Sequence, residues 1–274
     1  LTQLDVRNQD VLYNDSVRSI AGLNGLAVSL IANLNLSQFQ QRQPKFTFVV
    51  IPSDDFLRVT KIPENFGWAT TCSRGIWRQD REDAVVVSSI HDCQNLGPSS
   101  DIGQLTETQA DVLREAVHEH LPTLRDTYLP FSSASALPIS EAMDELVPRY
   151  ILGMQDYMPK STQFLVDLPE DKLLTIQDLW DGFSRHSSDP IRTNHAYGSA
   201  FLFGIALIKK LENNGEFNKS EALSLWLDLM VKAKSPIDVV EKFAKYLDVD
   251  TKLLYSDKVF QKEGQELLRL GINL

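Results

Sequence analysis

Cysteine is scarce in this chain. Cys72 and Cys93 are its only two, and they do not form the C-x-x-C pair of a thiol redox site or a zinc ribbon. No basic run occurs, and acidic residues outnumber basic ones 37 to 27. That balance argues against nucleic acid or anionic lipid as a partner. No apolar run approaches the ~20 residues needed to span a bilayer; the stretch 200–207 is too short and reads as a buried helix. G-x-S-x-G elbows, P-loops and G-x-G-x-x-G turns are all absent, and with them the best-marked hydrolase, nucleotide and dinucleotide chemistries. There is no internal repeat and no low-complexity tract.

What remains is an ordinary soluble composition. Hydrophobic residues make up 43% and charged residues 23% of 274 positions, enough for one large domain or two closely packed ones. The chain starts at Leu1 without a Met, which points to a trimmed leader. The two cysteines lie in one region, and their even number suits a single disulfide joining the halves of a β-hairpin. On that reading the protein works outside the cytoplasm: secreted, periplasmic or attached to an envelope. The alternative is two unrelated buried thiols. The sequons at Asn14, Asn35 and Asn218 arise easily by chance and carry no weight.

Apolar residues recur at helical spacing from Asp10 to Leu34, with Gly22 and Gly25 interrupting. Phe46–Ile51, FTFVVI, reads as a buried strand closed by Pro52. Gly67–Trp77 is strand-like, and Asp83–Ile90, DAVVVSSI, is the clearest strand in the chain. Thr106 with Gln109 three residues on forms a capping-box pattern, so a helix begins there and runs to about Leu121, before Pro122. Pro138 opens another helix. Helical patterns then cover 175–183, 193–213, 219–233, 236–246 and 257–269. The expected fold class is α+β: a small, mostly antiparallel sheet plus helices, then an all-helical C-terminal half. Residues 1–160 form the first part and 161–274 the second, helical part packed against it.

The stretch from Val112 to Leu146 carries the chemistry. Arg114, Glu115 and His118 sit in VLREAVHEHL, and Glu141 and Glu145 sit in PISEAMDEL. A helix-borne zinc hydrolase needs two His one turn apart so that both imidazoles face one metal. The Glu after the first His activates the metal-bound water, and a third ligand comes from the next helix. Taken alone, Glu115 and His118 three apart are what many solvated helices carry. His91, His186 and His195 are isolated, with no spacing that links them to a metal.

These two segments together resemble the gluzincin, or thermolysin-like, metallopeptidases, especially the aminopeptidase-related "peptidase MA-like" domains. There an HExxH helix is followed by a segment close to P-x-W-x-S-E-G-x-A-E, which Pro138, Ser140, Glu141 and Glu145 match. Ile139, Ala142 and Asp144 depart from it. The resemblance covers residues 45 to 250 and implies a zincin-like fold. It implies Glu115 as general base, with His118 and Glu141 as zinc ligands. HAYGSAFLFGIALIKKL resembles the family's Tyr-bearing helix, which makes Tyr197 the candidate to hold the oxyanion; a core Tyr is the competing reading. Glu145 is structural on this view.

Arg114 stands where the first His belongs. Losing one of three ligands is severe, and a guanidinium stays charged at any working pH and repels a metal. It can instead replace the metal's charge by pairing with Glu141 or Glu115. His120 does not rescue the site, because residues two apart on a helix diverge by about 200°. The expected function is therefore a non-catalytic, metallopeptidase-like exported protein with no cofactor. Its expected partner is a peptide or protein, bound along an edge strand at Ala69, Thr70, Thr71 and Ser73. Trp68, Arg74 and Trp77 cluster there, although packing under a disulfide is the favoured explanation for the aromatics. Two other readings differ in class: an active zinc peptidase with unusual ligands, and a purely structural part of an envelope assembly.

Overall fold

The computed structural model of the protein describes residues 45–51, 73–78, 83–89, 137–147, 164–179 and 190–270, and parts of 18–31 and 105–121. Internal contacts gather the chain into two compact units. Leu1–Leu34 with Phe39–Thr127 form the first, and Asn35–Gln38 with Tyr128–Leu274 form the second.

In the first unit, helical residues between 18 and 31 bury Leu23, Ala27 and Ile31, a spacing of four that keeps one apolar face inward. The strands are β1 (Lys45–Ile51), β2 (Ser73–Arg78) and β3 (Asp83–Ser89). They pair in the order β1-β3-β2. The uninterrupted Ala84-Val85-Val86-Val87 run belongs to the central strand, whose two edges are both paired. Thr106 and Gln109 form the predicted reciprocal cap. The Thr106 N–H donates to Gln109 Oε1 at 2.8 Å and the Gln109 N–H donates to Thr106 Oγ1 at 3.3 Å. Helical residues between 109 and 121 follow, with Ala110, Leu113, Ala116, Val117 and Leu121 buried.

The structure corrects the expected fold class. The described residues are predominantly helical, so the α+β zincin-like arrangement of a sheet with helices does not describe the protein. The sheet itself is mixed: β2 runs antiparallel to β3, but β1 runs parallel to it. The reason lies in the connections. Four residues join β2 to β3, and so short a link forces an antiparallel pair. The stretch from 52 to 72 is long enough for a crossover, which leaves β1 free to take the other edge of β3 in parallel.

The second unit is built on helices. They are α1 (Leu137–Leu146), α2 (Pro190–Gly215), α3 (Lys219–Val231), α4 (Pro236–Leu247), α5 (Thr251–Tyr255) and α6 (Val259–Arg269). A short 3-10 turn, η1, spans Glu170–Lys172. Several boundaries have a local cause. Asn218 and Glu221 close a capping box on α3. Ser235 caps α4, with Pro236 at its first position, and Asp248 ends it in the left-handed conformation at φ 53°. Asp250 caps α5.

Helix α2 is the centre of this unit. Every residue from Ala200 to Ile208 is buried, which is the pattern of a helix covered on all sides. Two glycines set its close approaches. A Cβ on Gly204 would lie 2.8 Å from the Ala142 carbonyl oxygen of α1. One on Gly264 of α6 would fall inside the contact radius of the Leu202 carbonyl oxygen. Phe203 packs on Phe260 with ring centres 5.5 Å apart. Trp226 of α3 meets Phe243 of α4 edge to face at 5.9 Å. Among the described residues, no helix is long and apolar enough to cross a membrane.

Candidate functional site

Arg114 and His118 are helical and four residues apart, so they lie one turn apart on one face of their helix. Both are half-buried, beside the fully buried Leu113, Val117 and Leu121. Arg114 Nε and His118 Nδ1 are shut off from solvent, and each residue is engaged by a neighbouring group. The local sequence explains this. The apolar positions pull the helix against its own unit, and the two polar residues on the margin of that face are drawn partly inside. A guanidinium and an imidazole one turn apart place a permanent cation where a pair of imidazoles would otherwise face one metal.

Glu115 and His120 lie outside the described residues. So do Cys72, Cys93, Ala69, Thr70, Thr71, Trp68, His91 and His186. Ser73 opens β2, opposite Ser88, and Arg74 and Trp77 follow on the same strand. β2 is an edge strand of the three-stranded sheet, with β3 on one side.

Glu141 and Glu145 are on α1, in the second unit, whereas Arg114 and His118 belong to the first. Along α1, Ile139, Ala142, Met143 and Leu146 are buried, so it is an anchored helix. Ala142, a departure from the glycine of the resembled segment, is where Gly204 of α2 comes close. Tyr197 is on α2 and half-buried, and a neighbouring group engages it. His195, two residues earlier, lies parallel to the Phe164 ring with centres 6.1 Å apart. Among the described residues, no group of three His, Cys, Asp or Glu side chains could hold a metal ion.

No protein-family model matches this chain, and no curated protein or solved structure matches it. The gluzincin resemblance rests on the residues quoted for it alone.

One polar arrangement was not foreseen from sequence. Residues 165–174 form a strap held by α6 and α2. Gln265 Nε2 donates to the carbonyls of Leu165 (3.0 Å), Val166 (3.1 Å) and Leu168 (2.7 Å). Gln261 Nε2 donates to the Leu174 carbonyl at 2.9 Å. The Leu174 N–H donates to Ser199 Oγ at 2.9 Å, and Arg269 Nη2 donates to the Val166 carbonyl at 3.1 Å. The available signal was two glutamines four apart on the apolar side of an amphipathic helix, which need acceptors when buried.

Proposed function

We propose that this protein is non-catalytic and binds an extended peptide or protein segment, outside the cytoplasm. The observation that carries the non-catalytic half is Arg114. A half-buried guanidinium one turn from His118 leaves a single imidazole on that face and brings a charge that opposes a dication. The residues at hand therefore do not fit the zinc of the resembled peptidases. The binding half is supported by β2, which lies at the edge of the described sheet, a position that suits strand addition. The extracytoplasmic setting rests on Cys72 and Cys93 as a pair.

Two measurements test this reading. Protein purified without chelator is expected to carry no stoichiometric zinc; zinc that is present and disappears on His118→Ala would overturn the non-catalytic half. For binding, neighbouring N–H groups on a strand point to opposite edges. Of Arg74→Pro and Gly75→Pro, one therefore weakens the sheet and the other removes only a free-edge donor. The second is expected to stay folded and lose capture of an extended-peptide library displayed at a surface. Retained capture by both folded variants would rule out β2 as the binding edge.

A further inference from the structure

We draw no further inference here: the strongest candidate, the strap of residues 165–174 clamped across α2 and α6 by Gln261 and Gln265, buries Leu165, Leu168 and Leu173 in the helical core and is therefore a fixed part of the fold rather than a segment poised to move.

Discussion

At the scale of single residues, the glycines divide into two kinds, and the division predicts opposite signs for one substitution. Gly22 and Gly25 are helical and exposed, with nothing within 4 Å of a Cβ built on either. Alanine there loses less backbone freedom on folding, so each of Gly22→Ala and Gly25→Ala should stabilise by about 0.5–1 kcal/mol. Gly264 is the contrary case. Its missing Cβ is filled by the main chain of α2 at Leu202, and backbone cannot turn aside as a side chain can. Gly264→Ala must push α6 off α2 and should cost about 3 kcal/mol. Gly204, against the Ala142 carbonyl at 2.8 Å, should cost less, about 1–2 kcal/mol. Urea denaturation of the four variants checks the order. A Gly264→Ala protein as stable as the parent would mean that α2 and α6 are not in backbone contact.

At the scale of elements, the strap is the place where hydrogen bonding rather than burial decides the cost of a change. The Gln265 amide has two N–H donors and serves three carbonyls, so one proton is shared. Gln265→Leu keeps the volume and strands acceptors in an apolar setting, for a loss of about 2–3 kcal/mol. Gln261 makes one bond to Leu174, and its own Oε1 is buried without a donor. Gln261→Leu removes that orphan along with the bond and should cost only about 1 kcal/mol. Equal losses for the two, read as shifts in denaturation midpoint, would contradict this account.

Elements were also what the sequence made most legible. The expected helices at 219–233, 236–246 and 257–269 correspond to α3, α4 and α6, because each has an apolar period, reinforced in α3 and α4 by a capping residue. The Thr106–Gln109 cap and Pro138 near the start of α1 were readable for the same reason. The five-residue α5 escaped notice: it is too short to show a period, and only its Asp250 cap marks it. Strand pairing was less accessible still. Nothing in FTFVVI distinguishes a parallel from an antiparallel neighbour, since side-chain alternation is the same for both. The candidate site was legible as a motif and not as an assembly. Arg114 and His118 share a turn by arithmetic, whereas the relation of that turn to Glu141 depends on long-range packing that no local spacing encodes.

At the scale of the whole molecule, the second unit has what an independently folding body needs. Its core runs through α1, α2, α3, α4 and α6, with Met143, Leu146, Phe203, Trp226, Phe243 and Phe260 all buried. The strap adds Leu165, Leu168 and Leu173 to that core. Trp226 and Phe243 join α3 to α4, and α1 and α6 both return to α2 through Gly204 and Gly264. A stretch of about 150 residues also buries some two-thirds of its unfolded surface, which is sufficient without metal or disulfide. A fragment from Tyr128 to Leu274 should therefore be soluble, give a helical circular dichroism spectrum and unfold in one cooperative thermal transition. Its near-ultraviolet spectrum should be ordered, since Trp226 is held edge-on against Phe243. Gly264→Ala should lower the midpoint in the fragment as it does in the full chain, because Leu202 and Gly264 both lie within it. A fragment with helical content but no cooperative transition and no near-ultraviolet signal would show that the core of this unit is completed by residues before 128.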